Sequence, residues 1–405
     1  MPTSDSIPCR FIGLDIHKEY FVAIGVDSNQ NQIFGPHRAS MKRLDSWIAK
    51  HLTHQDAVVL EMTVNTYKVH DKLKPHVQTV TVVHPPHVAL IVRAQVKTDK
   101  KAALILAQLH AAGLLPGVWI PPVEIRDLRA LLAQRLKMQR IRAQAKNRLH
   151  AFLGRNNIFP NLDGMDIFDS EMREWWQELP ATEMERFRIQ ADLDTLEFAD
   201  QQVQRLQDYL NQLAPKNDVV TLLVQIPGIG VLTALTIMAA IGDISRFPSS
   251  KQLVGYAGLG ASVHDSGQSY TTGRITKAGR KDLRKAMVEA ANHAIRSHNH
   301  WQAEFKRLEP RKGRSKAVVT IARKLLVVVW HLLTEETSDR FGKDEQIARQ
   351  FFCFAYRVGI DNLPDGLSAK QFTRNQLDRL GVGQEMTHLP WGSKRFLMPP
   401  STLMK

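Results

Sequence analysis

The sequence predicts two architectures in series: an α/β layer with a central, mostly mixed sheet over residues 10–120, then a mainly helical half. Three observations predict this. Strand-like runs alternate with helix-like segments as far as about residue 120. Helical spacing of apolar residues then runs from 123 to about 154 and returns over 193–213. The chain has 405 residues and is 43% hydrophobic, enough for two or three domains with real cores.

The first half opens on Phe11-Ile12-Gly13-Leu14-Asp15-Ile16-His17-Lys18, a short apolar run ending in a carboxylate. An aspartate pinned at the end of a rigid strand can hold a divalent metal over a phosphate. The bland alternative is a strand-end Asp in a turn, since turns favour Asp. A second β-like run, Tyr20-Phe21-Val22-Ala23-Ile24-Gly25-Val26-Asp27, follows at once. Residues 40–51 read as a helix, and Asp56-Ala57-Val58-Val59-Leu60-Glu61 as a buried strand ending in a second carboxylate. A helix over 65–73 and a strand over 77–83, closed by Pro85-Pro86, come next. Thr98 is a plausible cap for a helix carrying Asp99 and running to about Ala112. Asp15, Glu61 and Asp99 therefore fall on a strand, a strand and a helix start. That is the order in which RNase H-like folds assemble metal ligands, and hard carboxylate oxygens suit Mg²⁺.

The long helix from 123 carries Arg126, Arg129, Arg135, Lys137, Arg140, Arg142, Lys146 and Arg148, and between the first and last of these stands one acid, Asp127. Charge this one-sided points to a nucleic-acid-facing helix, because phosphate neutralisation needs it; a solvated face needs less. Leu196, Ala199, Val203, Leu206, Leu210 and Leu213 step by three and four, an a/d seam that fits either packing within the chain or a self-association coiled coil. Pro215 to Asn217 reads as a linker. Beyond it, Ile226-Pro227-Gly228-Ile229-Gly230 between two apolar helical runs has the helix-hairpin-helix layout, whose glycines let backbone N–H groups approach a phosphate. An ordinary helical hairpin has the same layout. Residues 261–273 read as a polar loop holding Asp265-Ser266-Gly267; Ser266 is a candidate nucleophile, although Ser-Gly is also common turn chemistry. The basic segment after it contains Arg274, Lys277 and Arg284, and one more helix covers 314–334. Past Glu335 the pattern is mixed, with helical pieces near 344–355 and 369–380 and a Pro-containing tail: a partner-binding extension or a poorly ordered end.

Bulk properties narrow the class. Net charge is +14, which points to a polyanionic partner, most often nucleic acid. Only Cys9 and Cys353 are present, so neither a disulfide framework nor a zinc site is expected, in keeping with a reducing cytosol. The first residues lack the pattern of a signal peptide, and the apolar run 325–333 is too short to span a bilayer. A soluble, cytoplasmic, nucleoid-associated protein without membrane partners is expected.

These stretches together resemble the DEDD-type transposases of bacterial insertion sequences, the "one-ten" group with its "eleven-eleven" subgroup, relatives of the Piv/MooV DNA invertases. The resemblance rests on Gly13-Leu14-Asp15-Ile16-His17-Lys18, Leu60-Glu61, Lys97-Thr98-Asp99, Lys146-Asn147-Arg148-Leu149, Ile226-Pro227-Gly228-Ile229-Gly230, Gly258-Leu259, Ser266-Gly267, Gly273-Arg274-Ile275-Thr276-Lys277-Ala278-Gly279 and Leu283-Arg284. It covers roughly 10–155 and 218–300, with the helix at 314–334. It implies a RuvC-like (RNase H-like) domain over 10–120, a basic-helix and coiled-coil linker over 121–215, a mainly helical transposase domain over 218–334 and an extension of unknown role over 335–405. It further implies Mg²⁺ on Asp15, Glu61 and Asp99, and a phosphoserine–DNA link through Ser266. The implied partners are a structured guide (bridge) RNA, donor and target DNA, and further copies of the chain in a homodimer or homotetramer with a composite active site. Arg129, Arg135, Arg140, Arg142, Lys146, Arg148, Gly228, Gly230, Arg274, Lys277 and Arg284 become candidate nucleic-acid contacts, and the heptad seam a candidate subunit contact.

One position departs from the pattern. The family carries a fourth carboxylate three residues after Asp99, on the same helix face. Here it is Ala102, which cannot ligate, so impaired metal binding and cutting are expected. A deliberate Asp-to-Ala change and a natural variant both give this sequence. The competing functions are a metal-dependent, structure-selective nuclease or invertase without guide RNA, and a non-enzymatic nucleic-acid binder.

Overall fold

The computed structural model describes residues 8–86, 88, 98–160, 166–266 and 269–403, with 170, 263–266 and 269–272 described by their backbone alone. The chain divides into two compact units between Pro122 and Val123.

The first unit is built on a five-stranded mixed sheet. Its strands are β1 (Arg10–Ile16), β2 (Tyr20–Val26), β3 (Gln32–Ser40), β4 (Asp56–Glu61) and β5 (Thr79–Val83), in the order β3-β2-β1-β4-β5. β2 runs antiparallel to β1 and β3, whereas β1, β4 and β5 are mutually parallel. Strands paired in parallel are covered on both faces, which is why β4 is a continuous apolar run and not an alternating one. One face packs Ile12, Leu14, Phe21 and Leu60 against helices α1 (Leu44–His51) and α2 (Thr66–Leu73), through Trp47, Ile48, Val69 and Leu73. The other face, with Val22, Ile24, Val59 and Val83, is covered by α3 (Asp99–Ala111) through Ala103 and Leu106. Buried Asp56 takes a two-pronged bond from Arg10 (Nε and Nη2, both 2.7 Å), pinning the start of β1 to the start of β4.

The second unit begins with α4 (Val123–Arg155) and a short helix, α5 (Arg173–Glu178), then α6 (Glu183–Leu213), opened by a reciprocal Thr182–Glu185 capping box. Leu196, Ala199, Val203 and Leu210 of α6 are buried, and α6 packs along α4 of the same chain. Four of the six seam residues are thus used inside the chain, while Leu206 is half-buried and Leu213 exposed. Continuing, α7 (Asp218–Val224), α8 (Val231–Ile241), α9 (Ser250–Tyr256), α10 (Lys281–Ser297), α11 (Asn299–Lys312) and α12 (Arg314–Glu335) form one helical core. Among the described residues α12 is the helix long and apolar enough to cross a membrane; the run at 325–333 extends into a 22-residue helix. Ala317, Ile321, Leu325, Val329 and Leu332 of this helix are buried in the core, which accounts for its apolarity.

Two further differences from the sequence reading concern irregular regions. Residues 261–273 are not a polar loop: β6 (Ala261–Ser266) and β7 (Ser269–Ile275) form a hairpin. The aromatic and β-branched run Tyr270-Thr271-Thr272 suits a pleated ribbon better than its polarity suggests. Nor is the described C-terminal stretch a loose end. Helices α13 (Asp344–Val358) and α14 (Ala369–Leu380) and the hairpin β8 (His388–Trp391)–β9 (Lys394–Leu397) share the core of the preceding helices through Phe351, Phe354, Phe372, Leu377 and Leu389. Arg374, 1% exposed, locks this end by donating to the carbonyls of Gly383 (2.8 Å), Pro399 (2.9 Å) and Met386.

Candidate active site

Gly13 sets the geometry of the first site. A Cβ there would stand 2.0 Å from the carbonyl oxygen of Ala103 and 2.8 Å from the Ala107 nitrogen, so α3 lies directly on β1. Asp15 follows Gly13 by two residues, on the same face and about 6.6 Å along the strand. Asp99 precedes Ala103 by one helical turn, about 6 Å along the helix. The two carboxylates are brought together by that single close approach. Asp99 is the first residue of α3, where the exposed N–H groups favour a negative charge, and the Thr98 side chain accepts from Lys101 N (3.3 Å).

His17 completes the cluster. Its Nε2 lies 3.4 Å from Asp15 Oδ2 and 3.6 Å from Asp99 Oδ1, and one donor atom from each of the three residues falls within 4.8 Å of the others. The imidazole stacks on the Tyr20 ring (centroids 4.6 Å apart, 25° between planes), and the Tyr20 hydroxyl donates to Asp99 Oδ2 at 2.9 Å. Asn65 Nδ2 donates to the His17 carbonyl at 3.0 Å. Burial pushes the Asp15 carboxyl above its ordinary range; His17 opposes the shift and the Asp99 charge adds to it.

The other predicted acidic positions are close by in the fold. Leu14 pairs with Leu60 in parallel register, so Glu61 ends the strand beside Asp15, but it does not join the three-residue donor group. Ala102 is half-buried, one turn along α3 from Asp99, and contributes a methyl group. The sequence reading passed over His17 and Tyr20. The available signal was spacing: His17 lies two residues beyond Asp15, the interval that returns to the same face of an extended chain.

In the second unit Ser266 ends β6, paired in register with Ser269; Gly267 lies outside the described residues. Arg274, in the second strand of this hairpin, and Lys277, just beyond it, are exposed, whereas Arg284 Nη1 donates to the Ala257 carbonyl at 3.0 Å. Helices α7 and α8 flank the Pro227–Gly228 turn as expected. Gly228 is required there for two reasons: its φ is +85°, and a Cβ would stand 2.2 Å from the Ala290 oxygen of α10. Gly230 precedes α8 with φ −92°, which any residue can adopt, and no side chain caps the helix there.

The basic residues of α4 divide into groups. Arg129 donates to the last carbonyls of α8, Ala239 O at 2.6 Å and Ala240 O at 3.1 Å. Arg142 pairs with Asp200 (2.7 Å), Arg148 with Asp192 (2.7 Å) and Lys146 with Asp166 (3.3 Å). The sequence count of one acid misses these partners because they come from other segments. Arg135 has a buried Nε without a hydrogen-bond partner, and Arg140 is exposed.

Two family models match the chain: a DEDD transposase model of the IS110 type over residues 12–160, and "Transposase IS116/IS110/IS902 family" over 220–307. The chain belongs to the IS110 family of insertion-sequence transposases. Among its relatives are the pilin gene-inverting protein of Moraxella bovis, 29% identical over 340 residues, covering 80% of this chain and 96% of the relative. The transposase for insertion sequence element IS1111A of Coxiella burnetii is 25% identical over 346 residues, covering 82% and 92%. This IS110-family chain is a DNA transposase or recombinase; the stretch matched by the first model includes positions 15, 61, 99 and 102, and the stretch matched by the second includes position 266. Residues 308–405 lie beyond both models.

A DEDD-type domain implies dependence on a divalent metal. The donors present fit one. Ligands of a common ion with bonds of about 2.1 Å stand roughly 3.0–3.6 Å apart, whereas charge-assisted hydrogen bonds close to about 2.8 Å. The 3.4 and 3.6 Å separations around His17 Nε2 belong to the first pattern, and that atom is buried without a hydrogen bond.

Proposed function

We propose that the chain is a bridge-RNA-guided recombinase of an insertion sequence, using Mg²⁺ on Asp15, Glu61 and Asp99 and the hydroxyl of Ser266 as nucleophile. The observation that carries this reading is the convergence of Asp15 and Asp99 at the end of β1. The strand order β3-β2-β1-β4-β5 with β2 alone reversed supports a RuvC-like fold for that unit.

Mg²⁺ bound at these acids would polarise the scissile phosphate and offset charge on the leaving oxygen. The residues do the rest. Asp15 and Asp99 serve as ligands, and Tyr20 fixes the Asp99 carboxylate by its hydrogen bond. Ser266 Oγ bonds to phosphorus as it loses its proton, the P–O bond to the departing deoxyribose breaks, and that oxygen leaves as a hydroxyl. The phosphoserine then conserves bond energy for rejoining to a second strand. Acids and serine come from different protomers of a homodimer or homotetramer. Arg135, Arg140, Arg274 and Lys277 provide charge for RNA and DNA backbones, with Gly228 and Gly230 in a helix-hairpin-helix. Ala102 leaves the metal set one carboxylate short, so this chain cuts poorly as it stands.

Site-specific inversion without a guide RNA is the second reading, favoured by the name of the Moraxella relatives. Labelled DNA denatured after incubation with the Ala102→Asp protein tests the serine. A protein–DNA adduct is expected, absent in the Ala102→Asp/Ser266→Ala protein. An adduct surviving loss of the hydroxyl removes the serine from its role, and strand exchange without added RNA favours inversion.

A further inference from the structure

We infer that His17 is itself a ligand of the divalent ion, making the site a mixed nitrogen–oxygen one. The inference rests on the reading that Asp15 and Asp99 hold a divalent cation. Three observations support it. His17 Nε2 is buried and makes no hydrogen bond, a costly arrangement for a polar atom unless something else satisfies it. It faces two carboxylate oxygens at 3.4 and 3.6 Å, too far for a strong hydrogen bond and suitable for ligands sharing one ion. Its ring is held in advance by the Tyr20 stack, and its backbone by Tyr20 O and Asn65 Nδ2.

The imidazole also answers a shortage. With alanine at position 102, α3 offers the ion one carboxylate, Asp99. Nitrogen from His17 adds a donor to the carboxylates, grouped with those of Asp15 and Asp99. An imidazole shifts preference from Mg²⁺ toward transition ions, because nitrogen binds these better than it binds Mg²⁺. Loss of His17 therefore weakens Mn²⁺ binding more than Mg²⁺ binding. The competing arrangement is a histidine that lies between the two acids only as their hydrogen-bond donor; a metal would then have to displace it.

Mn²⁺ is the probe, because its electron-spin echo is modulated by a directly bound ¹⁴N nucleus. The full chain with bound Mn²⁺ is expected to show ¹⁴N modulation from one imidazole. His17→Gln, with its fold checked by circular dichroism, is expected to lose the modulation and about tenfold or more in Mn²⁺ affinity. Bound Mn²⁺ without ¹⁴N modulation, modulation that persists in His17→Gln, or tighter binding by His17→Gln each overturns the inference. Asp99→Asn separates the two readings. If it abolishes Mn²⁺ binding while His17→Gln changes nothing, the carboxylate site stands and the imidazole ligand falls. If the unaltered chain binds no Mn²⁺ at millimolar concentration, both fall.

Discussion

Replacing Gly13 with alanine perturbs the site at the contact that creates it. The new methyl would stand 2.0 Å from Ala103 O, and ordinary contact begins at 3.4 Å, so α3 must retreat by about 1.4 Å or β1 must buckle. The atoms in the way are backbone, with no side chain that could swing aside. Overpacking of this kind costs about 1–3 kcal/mol. For a unit of this size that corresponds to a fall of roughly 4–12 °C in unfolding temperature. The functional effect should exceed the stability effect. Asp99 rides on α3 while Asp15 and His17 ride on or beside β1, so the donor separations open as the helix moves. A misplacement of about 1 Å can cost on the order of 100-fold in a positioned site. Thermal unfolding and a Mn²⁺ titration of Gly13→Ala measure both effects. Gly154→Ala is the control: its Cβ meets nothing within 4 Å, and it should be neutral or slightly stabilising. A Gly13→Ala protein with unchanged unfolding temperature and unchanged metal affinity would refute the claim that this contact sets the site.

Two further outcomes are expected. Because burial raises the Asp15 pKa, its ionised form is a destabilising charge in metal-free protein; the penalty is absent below about pH 4 and complete above the raised folded value. Asp15→Asn in chelator should therefore unfold above the unaltered chain at pH 7–8, the two converging toward pH 4; a pH-independent difference would contradict this. Arg129→Ala strips its donors from Ala239 O and Ala240 O and should lower stability by about 1.5–3 kcal/mol. It should leave the salt dependence of DNA binding unchanged, whereas exposed Arg140→Ala should reduce the slope of log affinity against log salt by about one.

Much of the first unit was legible in the sequence because its strands are short apolar runs whose ends are marked by carboxylates. Asp15 and Asp99 could be nominated from strand-end and helix-start positions. Their meeting could not, since it depends on one glycine admitting a helix backbone to 2.0 Å, a contact between residues 90 positions apart in the chain (Gly13 and Ala103). His17 was hidden for the same reason: its role lies in distances to Asp15 and Asp99, and its two-residue spacing from Asp15 gives a face but not those distances. The basic helix misled in the opposite direction. Its charge is locally unbalanced, yet Asp166, Asp192 and Asp200 arrive from later segments to pair with Lys146, Arg148 and Arg142. The heptad seam was visible, but periodicity alone does not say whether the partner helix belongs to the same chain. The hairpin at Ser266 was masked by its polar composition, which resembles a loop until pairing is known.

The most direct test is DNA cleavage by the chain and by Ala102→Asp, side by side in Mg²⁺, on DNA spanning the element's ends, with RNA transcribed from the DNA flanking the gene supplied. The account predicts that restoring the fourth acid raises cleavage by about 100-fold or more, since removing one positioned catalytic group commonly costs that much. Equal cleavage by the two proteins, or none by either, would contradict it.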